Sequence, residues 1–485
     1  MTGDAAGSPP RTGRRRFRLN STPARVWALT VVCVVAVTGL FASANTALGQ
    51  ARSGLDVLGR DAGPRAMATT DLYLALADMD ARMADVLLMG TDHDLGSGRA
   101  DALDRFEASR RQADEALLHA ASLTEGDSVE ERTVQAVLDG MGAYERHASR
   151  ALLLNDEAEA PPGRVDEEAL EEYRKATQLM HTELLPKAFN LGLDSSAIVR
   201  QNHEEGQRSV AWGMLTVGGV GAAALAALVA LQLYLRLRFR RRFNVPLLGA
   251  TAGVLALTVG VVVTLELSND HQRAAKEEGL DAAMALARAG AIATDMQADQ
   301  SRYLGDPELA DNYQQVYLER AQQVLFRPAE NLEQYYAAVD EVADAYPDLP
   351  GADGPDDDDP GTLGYLGERA QGSLLPGQED ALAEVLETYE RLHAADRDLR
   401  AAARDGDLAA AVETRMSVAD SRDGAFPAYV TALDELTDLH RRAFVDGIAR
   451  GDAALTPWRL GLPVLTLTVL ALVALGVRPR LAEYR

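Results

Sequence analysis

Two near-repeated clusters hold the residues best suited to chemistry. One is Tyr144-Glu145-Arg146-His147. The other, with one insertion, is Tyr389-Glu390-Arg391-Leu392-His393. An arginine offers a planar fork that matches a carboxylate, and a nearby His or Tyr can add a further hydrogen bond. Tyr144, Arg146, His147, Tyr389, Arg391 and His393 are therefore candidate contacts for a small ligand or a partner side chain. The same pattern also suits tyrosines packed inside helices with the Arg and Glu left in solvent.

Nothing else points to catalysis. The chain has no phosphate-binding loop, no GxSxG and no HExxH. Its one cysteine, Cys33, lies in an apolar run, so there is neither a thiol nucleophile outside such a run nor an intrachain disulfide. The eight His are scattered, without metal-ligand spacing on a helix. The acidic run Asp356-Asp357-Asp358-Asp359 lacks the alternating ligands and trailing Glu of a calcium loop. The expectation is a non-enzyme with no cofactor and no metal.

Four apolar segments organise the chain, at 25–48, 209–235, 245–267 and 457–477. Each is about 20 residues or more, enough to cross a hydrocarbon core of about 30 Å. Arginine is concentrated on one side of them. The N-terminus (1–24) holds Arg11, Arg14, Arg15, Arg16 and Arg18. The loop 236–244 holds Arg236, Arg238, Arg240, Arg241 and Arg242. The tail 478–485 holds Arg478, Arg480 and Arg485. By the positive-inside rule these pieces are cytoplasmic, which leaves 49–208 and 268–456 as two extracytoplasmic domains of a plasma-membrane protein. The five loop arginines are candidate contacts for a cytosolic partner, beyond their roles in topology and lipid contact. Ala42-Ser43-Ala44 resembles a signal-peptidase site. The length of the run, and its repetition later in the chain, favour retention as an anchor.

Charge follows the same division. Residues 50–208 carry 31 acidic and 17 basic side chains, a net of −14. Residues 266–456 carry 40 and 16, a net of −24. Such acidic domains exclude nucleic acid as a partner and favour cationic or mixed protein surfaces. With 45 Arg against three Lys and an excess of Ala, the composition suggests a GC-rich, actinobacterial genome.

The outer segments must be helical. Ala, Leu, Glu, Arg and Asp dominate them, and aromatics are only 5% of the chain. Leu72, Leu76, Met79, Met83, Val86 and Leu87 recur at spacings of three and four, making one apolar face. The two segments also share ordered landmarks. Asp78-Met79-Asp80-Ala81 corresponds to Asp295-Met296-Gln297-Ala298, and Asp104-Arg105-Phe106-Glu107 to Asp311-Asn312-Tyr313-Gln314. The Tyr-Glu-Arg clusters correspond to each other, and Leu185-Pro186-Lys187-Ala188 corresponds to Phe426-Pro427-Ala428-Tyr429. The expected fold is all-α: four transmembrane helices and two extracytoplasmic four-helix bundles that arose by internal duplication. The stretch 347–377, rich in Pro, Gly and Asp, predicts a mobile loop in the second copy.

Within the membrane segments, Gly249 and Gly253 form a GxxxG, a candidate helix-packing face. No Asp, Glu, Lys or Arg lies deep in any of the four, which counts against a pump, carrier or channel.

The layout of anchor, helical bundle, anchor resembles the sensor domains of chemoreceptors and sensor kinases. The duplicated layout, with four anchors, two outer helical domains and almost no cytoplasmic mass, resembles the GlnX family. That resemblance implies a relay linking an extracytoplasmic amino-acid-binding lipoprotein to the cytosolic Ser/Thr protein kinase G. The expectation is therefore a transmembrane sensor or relay. Its partners would be membrane lipids, an extracytoplasmic binding protein, a cytosolic signalling protein and a second copy of the chain. The competing expectation is a non-signalling scaffold or accessory subunit of an envelope or transport complex.

Overall fold

The computed structural model describes residues 22–91, 99–123, 128–239, 244–347, 364–366, 375–419 and 423–482. These residues form helices, and no strand occurs among them. Four helices are long and apolar enough to cross a membrane, within Ala24–Met89, Ala211–Leu237, Val245–Gly305 and Ala425–Pro479, and they point to a multi-pass membrane protein. The chain divides into two compact units. One comprises Met1–Gly54, Glu204–Asp270 and Gly451–Arg485, and the other Leu55–His203 and His271–Arg450.

The first unit is built from α1 (Thr22–Asp56), the C-terminal part of α6 (Leu185–Phe239), α7 (Val245–Ala274) and α14 (Trp458–Ala482). Each satisfies its backbone internally, as apolar surroundings require. Small residues set the helix contacts. A Cβ on Gly213 would lie 2.9 Å from Ala47 of α1, and one on Gly221 would collide with Thr258 of α7. Gly249 and Gly253 face α14, where added Cβ atoms would lie 3.4 Å from Leu472 and 2.7 Å from Val469. Polar side chains add links. The Gln232 amide donates to Thr251 Oγ1 at 2.7 Å, and the Trp458 indole donates to Thr264 Oγ1 at 2.8 Å.

Two central helices define the second unit, α2 (Gly63–Met89) and α8 (Ala282–Gly305), packed against each other. Every residue from 83 to 90 and from 289 to 302 is buried. Around α2 stand α3 (Arg99–Leu123), α4 (Ser128–Glu157), α5 (Glu167–Leu179) and the start of α6. Asp166 caps α5, accepting from the Glu168 and Ala169 amides. Around α8 stand α9 (Ala310–Val324), α10 (Leu332–Ala345), α11 (Gln378–Arg404), α12 (Leu408–Val418) and α13 (Ala425–Leu455). Asn331 caps α10, and Asp407 caps α12. The second half thus carries α10 and α12 beyond the four helices its landmarks anticipate.

The heptad-like face of α2 packs into a core with Tyr144, Met180 and Leu184. A fully buried Leu72 or Leu76 contributes about 1.5–3 kcal/mol. The second half has its own core around Tyr317, Tyr335, Tyr389 and Tyr429. The halves are not separate bodies, because Ala411, Val412 and Met416 of α12 sit in the first core.

Both central helices enter through a π-helical segment. Val57–Ala62 separates α1 from α2, and Ala275–Asp281 separates α7 from α8. Phe444 of α13 packs at both places. A Cβ on Gly63 would lie 2.7 Å from its ring, and one on Gly279 would lie 2.6 Å from its backbone. Only glycine permits that approach.

Candidate functional site

The two Tyr-Glu-Arg clusters do not gather their side chains at one place: Arg391 lines an open surface cleft with Glu384 and Glu435, away from the buried Tyr389 and His393. Tyr144 points inward, fully buried, and its hydroxyl donates to Asp80 Oδ1 at 2.9 Å. Arg146 points outward and caps the Gly142 carbonyl of its own helix. His147 is at the surface, with Nδ1 2.7 Å from Glu172 Oε2. Hydrogen bonds from His147 and Lys175 hold the Glu172 carboxyl down at about 2. In the second half, Tyr389 and His393 are both buried, whereas Arg391 is half exposed on the surface near Glu384. His393 is ringed by Tyr317, Tyr335, Tyr336 and Tyr389. Burial pushes its imidazole down to about 4, so it is neutral at pH 7. Of the loop arginines, Arg236 is exposed at the end of α6 and Arg238 lies in the same helix. Arg240, Arg241 and Arg242 lie outside the described residues, as does the run Asp356–Asp359.

The polar chemistry lies instead between α2 and α8. A buried charge survives only with a partner, and the partners here come from opposite halves of the unit. Arg302 of α8 donates to Asp80 of α2, to Asp299 at 2.8 Å and to the Tyr173 hydroxyl at 3.1 Å. Arg415 of α12 donates to Asp85 at 2.6 Å and to Ser301 Oγ at 2.9 Å, and Ser301 in turn donates to Asp85 at 2.7 Å. Arg174 of α5 forks onto Asp306 at 2.7 and 2.9 Å. Arg302 and Asp80 are both fully buried. Burial lowers the Arg415 guanidinium below its ordinary range, and Asp85 opposes that fall.

Two clefts flank this seam. The first, about 370 Å³, lies between α2, α8, α6 and α9. Its walls include Tyr73, Leu185, Phe189, Ile292 and Asp295, with Arg288 and Arg320. The second, about 290 Å³, lies between α2, α8, α3 and α13, with Ala75, Asp78, Gly290, Phe426 and Val430. Their linings correspond. Tyr73 and Gly290, Ala75 and Ile292, and Asp78 and Asp295 are each 217 positions apart. Leu185 and Phe426, and Phe189 and Val430, are each 241 apart.

Their polar groups differ. Asp78 is satisfied, accepting from Ser109 and lying 3.2 Å from Arg82. Asp295 is almost fully buried and 3.6 Å from Arg320, but its Oδ1 has no hydrogen-bond partner among the described residues. Burial pushes its carboxyl up, with Arg320 opposing. Arg320 is shared with Asp299. Arg288 lies over the Phe189 ring, 5.0 Å from its centroid, with no carboxylate at ion-pair distance among the described residues.

The sequence contained a signal for this seam. Asp80, Asp85, Asp295, Asp299 and Arg302 interrupt apolar helices, and Asp80 and Asp295 stood among the shared landmarks. What could not be read was which charge meets which, because the pairs between the halves join residues more than a hundred positions apart.

The fold and this seam point to a class: an all-helical protein among its described residues, with four helices apolar enough to cross a membrane and a second unit that closes on a buried, ion-paired core. Residues 54–204, from the last turn of α1 into α6, match the family model of the actinobacterial sensor domain. That match supports an actinobacterial sensor protein. No curated protein and no solved structure matches the chain.

Proposed function

We propose that the chain is a transmembrane signal relay. Its outer unit detects an extracytoplasmic ligand or a solute-binding lipoprotein, and the output goes to a cytosolic partner such as a Ser/Thr kinase. The observation that carries this reading is the match of residues 54–204 to a sensor domain. The two halves are a duplication of that domain, standing outside the plasma membrane with both termini inside. Three findings support the duplication: the corresponding cleft linings, the π-helical segments at equivalent places before α2 and α8, and the shared landmarks.

The mechanism follows from the seam. α2 and α8 are each preceded by an apolar helix, and charged links from opposite halves hold them together. A ligand or partner that favours one arrangement of the halves shifts the two helices against each other, and shifts of about 1–2 Å are the usual scale of such switching. The chain performs no chemistry of its own. The signal leaves through the arginine-rich loop between α6 and α7, which joins the two copies and docks an acidic patch on its partner.

The test is an Arg238→Gln/Arg241→Gln variant expressed in membranes. Insertion should persist, because Arg236, Arg240 and Arg242 still mark the inside. Capture of the cytosolic partner, read by affinity purification and mass spectrometry, should fall. Undiminished capture by the inserted variant would remove these residues from the docking surface.

A further inference from the structure

We propose that the first cleft is a binding site for a small carboxylate that carries an ammonium or hydroxyl donor on its neighbouring carbon and a branched apolar tail. The proposal deepens the sensor reading by naming the ligand class, and rests on it only for the purpose of the site.

The donor set specifies the ligand. Arg288 brings a guanidinium with no carboxylate at ion-pair distance among the described residues, whereas Arg320 is held by Asp299 and Asp295, so Arg288 is the cation the cleft offers to an anion. A carboxylate matches such forks in plane and charge. The opposite need is set by Asp295, which is almost fully buried with one oxygen unpartnered among the described residues. An unmet acceptor at that depth is costly, and a ligand N–H or O–H meets it. An ammonium beside it would also favour the ionised form that burial disfavours. The remaining wall is apolar, formed by Leu185, Pro186, Phe189 and Ile292, and suits a branched aliphatic side chain. The volume, about 370 Å³, falls within the range of small-molecule pockets.

The paired cleft serves as an internal contrast. At the position equivalent to Asp295 it has Asp78, already satisfied by Ser109 and Arg82. Its own arginines are taken up too, Arg82 with Asp78 and Asp85, and Arg441 with Asp71. Each arginine of that cleft has a carboxylate partner, whereas in the first cleft Arg288 has none among the described residues and Asp295 Oδ1 has no hydrogen-bond partner there. The walls of the open cleft come from both halves, α2 and α6 from the first, α8 and α9 from the second. Occupancy is therefore felt at the seam.

The experiment is calorimetric titration of the full chain in lipid nanodiscs with four matched probes. These are L-leucine, 2-hydroxy-4-methylpentanoate, 4-methylpentanoate and leucinamide. Leucine or the hydroxy acid should bind. 4-Methylpentanoate, which lacks the donor, and leucinamide, which lacks the carboxylate, should bind at least about tenfold more weakly. Arg288→Gln, at a half-exposed position, should weaken binding of the better probe by about tenfold or more. Asp78→Asn in the second cleft should leave it unchanged. Asp295→Asn, with its fold checked by thermal melting, should lose the preference for leucine over 4-methylpentanoate. The proposal is overturned if neither leucine nor the hydroxy acid binds at millimolar concentration, if all four probes bind alike, or if Asp78→Asn abolishes binding while Arg288→Gln does not. Because the titration reads binding alone, its failure leaves the relay reading to the partner-capture test, and a failed capture leaves the cleft intact.

Discussion

Arg302, on the second central helix, donates to the carboxylate of Asp80 on the first, and both side chains are fully buried. Asp80 also accepts from Tyr144 at 2.9 Å, so one carboxylate links α4 to both central helices. The unit is therefore held at a charged seam as well as by apolar packing. Charge-assisted contacts of this kind are specific, and they lose their value when one partner is removed. A ligand site beside such a seam is well placed to change how the halves meet.

Removing Arg302 should be severe. Arg302→Met leaves Asp80 buried without its arginine, while Asp299 keeps Arg320, at an expected cost of about 3–5 kcal/mol. Adding Asp80→Asn should recover part of the loss, because it removes the stranded charge. Chemical denaturation of the full chain in detergent measures both. A single variant as stable as the parent would show that the seam is solvated.

Stability should fall as the pH drops from about 6.5 to about 4. His393 sits among four tyrosine rings with its imidazole held down at about 4, against an ordinary value of 6.5. In that window the unfolded chain binds more protons than the folded one, so the contribution is complete above about 6.5 and lost as the pH falls through about 4. The scale is about 3 kcal/mol for a fully buried imidazole. Asp396 nearby favours protonation, while Arg397 and Arg400 oppose it. His181, beside Asp80, is also held at about 4 by burial and titrates in the same window. Melting curves across pH should show His393→Phe flattening part of the slope, with His181 contributing further in the same window. An unchanged slope in the variant would mean that His393 is not buried neutral.

Packing in the membrane unit should depend on Gly253 more than on Gly249. A Cβ at Gly253 would lie 2.7 Å from Val469, whereas one at Gly249 would reach Leu472 only at 3.4 Å. Gly253→Leu should lower the melting temperature in detergent by several degrees, and Gly249→Ala should have little effect. Equal effects would place the α7–α14 contact elsewhere.

Topology is tested with reporter fusions. Fusions after Leu123 and Leu386 should report as extracytoplasmic, and one after Arg240 as cytoplasmic, because arginine is concentrated in the short segments. A cytoplasmic signal at Leu123 would overturn this arrangement.

Composition and periodicity alone determined much of this protein. A run of 20 apolar residues has few ways to satisfy its backbone other than as a helix in a membrane, so the four spans could be read directly. The 3.6-residue pattern from Leu72 to Leu87 required a helix with one buried face. Local chemistry also set the helix starts, as at Asp166. Tertiary structure decided the rest. Asp80 and Asp85 of α2 are buried at the seam with α8, paired with Arg302 and Arg415 that arrive from more than two hundred residues away. Tyr144 and Tyr389 read alike, but one reaches the seam and the other packs against His393, because their surroundings differ. Asp78 and Asp295 hold the same place in the landmark pattern, and only their neighbours leave one satisfied and the other with an oxygen that has no hydrogen-bond partner among the described residues. Periodicity follows from each residue's own polarity and is local, whereas pairing is a property of distant segments brought together, and so it exists only once the chain has folded.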